Sequence, residues 1–205
     1  HLPRATVWPV CAWGAMKEKL VVIDGNSIVN RAFYGLPDLT TTDGRHTNGV
    51  LGFLNILIKI TEEEQPDYLA VAFDVKHPTF RHEMYAEYKA HRDPMPEEIE
   101  SNMPWRCRII EAFRIPQLTC EGFEADDIIG TLSHAAELAG FDEVVMATPD
   151  KDFAQLVTPV VHMYRYGRGK TPDSVMGVKE VCECFDVSDT KQVIDLLGSG
   201  SLRLC

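Results

Sequence analysis

Gly122-Phe123-Glu124-Ala125-Asp126-Asp127-Ile128-Ile129-Gly130-Thr131-Leu132 sets three carboxylates within four residues at the mouth of an apolar helix. Ile128, Ile129, Leu132, Ala135, Ala136 and Ala139 recur at helical spacing, which puts Asp126 and Asp127 in the first turn and Glu124 at or just before it. Free N–H groups and the macrodipole favour negative charge at a helix start, so alone the stretch reads as a capped surface helix. Three apolar runs elsewhere change that reading, because each stops at an aspartate: Leu20-Val21-Val22-Ile23 at Asp24, Tyr68-Leu69-Ala70-Val71-Ala72-Phe73 at Asp74, and Val144-Val145-Met146-Ala147-Thr148-Pro149 at Asp150, with Asp152 two residues on. Continuous apolar runs of this length are strands buried on both faces, which predicts an α/β fold with a central, mostly parallel sheet flanked by helices. In such sheets the ligand site lies outside the carboxyl ends of the strands. Strand ends converging on the acidic helix start would gather Asp24, Asp74, Glu124, Asp126, Asp127, Asp150 and Asp152 in one cleft. Like charges at that density repel and raise one another's pKa unless cations sit among them. An all-oxygen donor set suits Mg²⁺ or Mn²⁺ rather than zinc, so these residues predict a divalent-metal hydrolytic site.

A chain of 205 residues, 45% hydrophobic and 25% charged, is enough for one α/β domain with its own core, or one domain and an appendage. The net charge of −11 runs against a nucleic-acid partner, which ordinarily shows as a basic excess. Bound cations would invert the local field at the acids, so the objection is weak at this site. The six cysteines, at 11, 107, 120, 182, 184 and 205, form no CxxC pair, and reduced thiols in a cytoplasmic protein are expected. Cys182-x-Cys184 is too closely spaced for the usual zinc knuckle and reads as structural. No run approaches the ~20 apolar residues of a membrane span, and residues 1–15 lack the apolar core of a signal peptide.

Residues 1–15, rich in Trp and Pro, show no periodicity, and a native start at Met16 after a non-native leader is expected. After Asp24, Ser27 or Asn26 can cap a helix carrying Ile28, Val29, Ala32 and Phe33. Leu36 to Asn48 reads as a loop and Val50 to Ile60 as an apolar helix ended by Glu62-Glu63-Glu64 and Pro66. Beyond Asp74, His77, Arg81, His82, Lys89, His91 and Arg92 alternate with Phe80, Tyr85 and Tyr88, a pattern suited to backbone phosphate contact with base stacking. The plain alternative is an amphipathic helix with its charges in water. Glu97 to Phe113 is predicted as a helix kinked or restarted at Pro104, Ile115 to Thr119 as a short strand, Phe153 to Leu156 as a short helix and Val160 to Tyr164 as a strand. Gly167-Arg168-Gly169-Lys170 reads as a basic turn, and helices are expected to open at Gly177 and Val193.

With these residues assembled, positions 16–198 resemble the 5′-nuclease domain of bacterial family-A DNA polymerases (the DNA polymerase I group), part of the flap endonuclease group with a PIN-like fold. Five phrases carry the resemblance in order: Val22-Ile23-Asp24-Gly25-Asn26-Ser27, Phe73-Asp74, Thr79-Phe80-Arg81 with Tyr88-Lys89-Ala90-His91-Arg92, Glu124-Ala125-Asp126-Asp127, and Thr148-Pro149-Asp150-Lys151-Asp152-Phe153. By that resemblance the seven acids are metal-site residues serving two Mg²⁺ or Mn²⁺ ions. Lys89 and Arg92 are the catalytic basic residues of a helical arch at about 76–100, assisted in substrate binding by Arg81 and Tyr88. The partner implied is DNA with a free 5′ end or flap, and the reaction implied is 5′-3′ exonuclease and flap endonuclease cleavage.

After Val193-Ile194-Asp195-Leu196-Leu197-Gly198 the sequence departs from the family, which continues with two further metal-site acids and a helix-hairpin-helix that grips the duplex. Residues 199–205 are therefore expected to be an aberrant tail, with the second metal position and duplex binding impaired by truncation. Polymerase and proofreading domains are absent from these residues, so no polymerisation is expected of them. Two other readings stay open at this point: a non-cleaving, structure-specific DNA-binding module, and a PIN-type ribonuclease, against which the long segment between Asp74 and Glu97 counts.

Overall fold

A computed structural model describes residues 18–75, 77–85, 87–89, 91, 96–167 and 172–198. The expected leader at 1–15, the tail at 199–205, Arg92, most of the basic turn at 167–170 and much of the upper arch lie outside these residues. The chain runs β1 (Lys19–Asp24), α1 (Gly25–Gly35), α2 (Asn48–Glu64), β2 (Tyr68–Ala72), α3 (Phe80–Met84), α4 (Glu97–Ala112), β3 (Gln117–Leu118), α5 (Ala125–Ala139) and β4 (Glu143–Ala147). A 3₁₀ turn (Lys151–Leu156) leads to β5 (Val161–Arg165), β6 (Ser174–Met176), α6 (Val178–Phe185), a second 3₁₀ turn (Thr190–Gln192) and α7 (Val193–Gly198).

The strands form one sheet in the order β3-β2-β1-β4-β5-β6. All neighbours pair parallel except β6, which runs antiparallel to β5. The apolar runs alternate between two cores, as strands covered on both sides must. Leu20 and Val22 of β1 face the layer that contains Ile129 and Ala136 of α5 and Val181 of α6. Val21 and Ile23 face the opposite layer, with Ile28 of α1, Phe53 and Leu57 of α2 and Ile110 of α4. Chain order moves from β1 outward through β2 and β3, then returns to place β4 on the other side of β1. That reversal between β1 and β4 opens a crevice at the carboxyl ends of the strands, the usual ligand position in such sheets.

Asp24 and Gly25 join β1 directly to α1. A Cβ on Gly25 would lie 1.9 Å from the Phe73 ring, so only glycine lets the end of β2 pack against the start of α1. Asp24 at the end of β1 and Asp74 just beyond β2 both reach the crevice.

Two expectations need correction. Helix α4 is continuous from Glu97 to Ala112, so it does not restart at Pro104. The proline removes one backbone bond, but Ile99, Asn102, Arg106 and Ile110, all buried on one face, hold the helix on both sides of it. Reduced thiols hold for Cys107, Cys120 and Cys182, whereas Cys184 is disulfide-bonded.

Candidate active site

Five of the seven acids line one cleft of about 730 Å³ at the crevice: Asp24, Asp74, Asp126, Asp150 and Asp152. Each is placed by local backbone chemistry. Asp24 ends β1 and caps α1, accepting the Ser27 N–H at Oδ1 (3.0 Å), while Oδ2 accepts from the Thr148 hydroxyl at 3.1 Å. Asp74 leaves β2 and accepts the Ala125 N–H at 2.7 Å, which ties the end of β2 to the first turn of α5. Asp150 caps the 3₁₀ turn, accepting the Asp152 N–H at 3.0 Å, and its own N–H donates to Thr148 Oγ1 at 3.1 Å. Asp126 projects from the first turn of α5.

Crowding then shows in the proton equilibria. Desolvation in the cleft, followed by the charges of Asp24, Asp150 and Asp74, pushes Asp126 up to about 7. Its residue surface is open to water, which relieves part of the desolvation, so the repulsion from three neighbouring carboxylates is the cause that carries the shift. Asp152 is raised as well, by desolvation and by Asp150.

A raised folded-state pKa means that folding takes up a proton. Stability contributed by Asp126 is therefore present at low pH and is lost as pH rises from the unfolded carboxylate range through about 7. The metal-free protein is expected to melt progressively lower between about pH 5 and about pH 8. Asp126→Asn should flatten that slope, and Mg²⁺ should raise the melting temperature of the parent at the alkaline end. Equal slopes in parent and variant, read by calorimetric melting, would contradict the assignment.

Glu124 and Asp127 are placed differently. Glu124 is buried and accepts from Lys89 Nζ at 2.9 Å and from the Tyr88 hydroxyl at 3.0 Å. Burial opposes its charge, but those two hydrogen bonds prevail and hold its pKa below the usual carboxylate range. Asp127 takes a two-pronged contact from Arg81, both at 2.7 Å, and is lowered by it. Burial works against the Lys89 ammonium, yet Glu124 leaves its pKa raised. Lys89 and Tyr88 also line the cleft, so the basic segment does reach the acids. The arch itself, as far as its residues are described, begins with the five-residue α3 and a turn at 87–89.

The cleft wall includes residues that sequence reasoning did not select: Asn26, Ser27, Asn30 and Tyr34 of α1. Their spacing from Asp24 follows one helical face, a signal readable once Asp24 is taken as the first residue before the helix. Thr148, completely buried and bonded to both Asp24 and Asp150, is a further supporting residue that no local pattern marks.

An acid-lined crevice at the reversal of a mostly parallel sheet is matched by the family model described as 5′-3′ exonuclease, N-terminal resolvase-like domain, over residues 19–186. The chain belongs to this 5′-3′ exonuclease family. Among curated relatives of this exonuclease domain, DNA polymerase I of Caldicellulosiruptor bescii is 43% identical over 171 residues, which cover 82% of this chain and 20% of that protein. DNA polymerase I of Bacillus caldotenax is 43% identical over 183 residues, 89% of this chain and 21% of that protein. The chain thus spans about a fifth of the length of these curated relatives. Among solved structures, the bacteriophage T5 flap endonuclease, crystallised as a pseudo-enzyme-product complex with DNA and metal ions, is 20% identical with a TM-score of 0.64 over 87% of this chain and 65% of that one. At that identity the likeness establishes the fold.

Among the described residues no group of three His, Cys, Asp or Glu side chains converges closely enough to hold an ion unaided. The donor chemistry of the 5′-3′ exonuclease cleft nevertheless fits Mg²⁺ or Mn²⁺. Mg²⁺ keeps several waters and binds through one or two carboxylates, which suits a wide ring of aspartates better than a tight cage. The raised pKa of Asp126, with three carboxylates about it, marks where positive charge is wanted.

Proposed function

We propose that this 5′-3′ exonuclease domain, residues 16–198, hydrolyses phosphodiester bonds of DNA at free 5′ ends or flaps in a divalent-metal-dependent reaction. The observation that carries the reading is the five-aspartate cleft at the sheet reversal with Lys89 on its wall. Family membership supports the reaction class, and the T5 flap endonuclease, crystallised with DNA and metal ions, supports the substrate class. The cytoplasm is the compartment this reading implies, and among the described residues no helix is long and apolar enough to cross a membrane.

Asp24, Asp74, Asp126, Asp150 and Asp152 would hold Mg²⁺ or Mn²⁺, which supply, when bound, an acidified water and charge neutralisation at the phosphate. The protein's part is placement. Thr148 holds Asp24 and orients Asp150, so two carboxylates from neighbouring strands share one rigid support. Lys89 brings positive charge to the cleft wall, where a phosphate drawn among carboxylates needs it. Arg92, outside the described residues, is proposed to add a second positive charge from the same segment. Asn26 and Asn30 of α1 add neutral polar side chains to the lining of the cleft.

The test is cleavage of a 5′-labelled flap duplex with Mg²⁺ and with excess chelator. Products released from the 5′ end only in the presence of the ion are expected. Equal cleavage with chelator, or none with Mg²⁺, would overturn the proposal.

A further inference from the structure

Asp127 accepts from both Nη atoms of Arg81 at 2.7 Å, one on each carboxylate oxygen, across 46 residues of chain. That contact belongs to a set of ties between α3 and the start of α5. The Phe80 N–H donates to the Gly122 carbonyl at 3.0 Å. The Phe80 and Phe123 rings meet at 5.6 Å, and the Arg81 guanidinium lies over Phe80 at 4.6 Å. Beyond α3, Tyr88 and Lys89 return to Glu124. Lys89 holds φ at +56°, a left-handed conformation that strains a non-glycine residue, and its ammonium contact with Glu124 holds it there.

A carboxylate engaged on both oxygens by a two-pronged arginine, with one oxygen also accepting the Glu124 N–H at 3.0 Å, has little left to offer a cation in the cleft. The arginine in turn commits one N–H of each terminal nitrogen to Asp127, whose carboxylate offsets its charge. Neither residue lines the acid cleft, whereas Lys89 does.

We propose that Arg81 and Asp127 form the anchor of the arch, positioning residues that lock α3 onto α5 and so hold Lys89 over the acid cleft, and that Asp127 is not a metal ligand. The use made of Lys89 rests on the phosphodiesterase reading above; the anchor and the exclusion of Asp127 from the metal site do not. The anchor explains why a family of metal-site acids here divides into a group facing the cleft and a pair facing the arch.

The experiment compares Asp127→Asn, Arg81→Gln and the double variant with Asp126→Asn, using Mn²⁺ alone as the probe for binding and a 5′-flap duplex for turnover. The amide oxygen of asparagine can still accept the Glu124 N–H, so the helix cap survives. Calorimetric Mn²⁺ affinity is expected to stay within about threefold of the parent in Asp127→Asn and Arg81→Gln, but to fall about tenfold or more in Asp126→Asn. Turnover at saturating metal should fall about tenfold in each single anchor variant and no further in the double, the non-additivity of two residues acting as one contact. Amide hydrogen exchange at Phe80 and Tyr88 should speed up in both.

Loss of Mn²⁺ affinity in Asp127→Asn equal to that in Asp126→Asn would make Asp127 a ligand and overturn the proposal. Turnover losses that multiply in the double variant, or unchanged exchange, would overturn it too. If the parent binds Mn²⁺ yet cuts no flap, the nuclease reading fails, while the exchange and Mn²⁺ results still decide the anchor. Should Asp127→Asn not fold, Arg81→Gln decides it through the same two measurements.

Discussion

Asp24→Asn is expected to slow cleavage of a 5′-flap substrate by at least about a hundredfold, close to 3 kcal/mol of transition-state stabilisation, while leaving the fold intact. The structural cost is small because the substitution keeps the shape. An asparagine oxygen can still accept the Ser27 N–H that starts α1, and its amide can donate to the Thr148 hydroxyl, which is free to rotate. What is lost is a charge, at the point where β1 and β4 part and where Asp126 and Asp150 look on. With one carboxylate neutralised, the repulsion that raises Asp126 is reduced, so the metal-free variant should melt at or above the parent at about pH 8. A large fall in turnover alongside an unchanged or higher melting temperature is therefore the signature. If turnover and cooperative melting were lost together, Asp24 would be a structural cap and the catalytic assignment would fail.

Arg106→Met is expected to stabilise the protein by about 2 kcal/mol, or roughly 4–8 °C in melting temperature. Arg106 sits on the inward face of α4 with 5% of its surface exposed, and among the described residues its Nε and Nη1 have no hydrogen-bond partner. Burial lowers its pKa, the mark of a charge held where solvation is poor. Its guanidinium does lie over the Phe73 ring at 4.0 Å, and a desolvated cation–π contact contributes about 2 kcal/mol. A buried charge without a carboxylate partner costs several kcal/mol, so the balance runs against the arginine. Methionine keeps the unbranched shape and the contact with Phe73 without the charge. A lower melting temperature in Arg106→Met would show that the guanidinium has a partner that pays for its burial.

Those two residues mark the division between what the sequence discloses and what it does not. Strand ends at Asp24, Asp74 and Asp150 are legible because a continuous apolar run is a local pattern, and the sheet rule then fixes where its carboxyl end points. The α5 start is legible for the same reason: acids before a helical apolar stripe. The resemblance to 5′-nuclease domains rests on those same phrases, and the family match confirms it. Arg106 is illegible, since arginine on an amphipathic helix reads as solvent-facing and only packing against Phe73 shows otherwise. The pairing of Arg81 with Asp127 and of Lys89 with Glu124 joins residues 46 and 35 positions apart, and no spacing rule links them. Strand β6, three residues long and antiparallel at the sheet edge, is too short to carry a pattern. Pro104 misleads in the opposite direction, because the rule against proline in a helix is a penalty that packing on both sides can exceed.

The claim at the centre of this account is that Asp24, Asp74, Asp126, Asp150 and Asp152 form one divalent-metal site, and calorimetric titration of Mn²⁺ into the parent, Asp126→Asn and Asp150→Asn tests it most directly. The two aspartates come from α5 and from the turn after β4, with no hydrogen bond between them, so ions held in the same cleft are what make both variants weaken binding. Saturable binding in the parent, weakened about tenfold or more in each variant, is the predicted result. Binding of equal strength in all three proteins would contradict it.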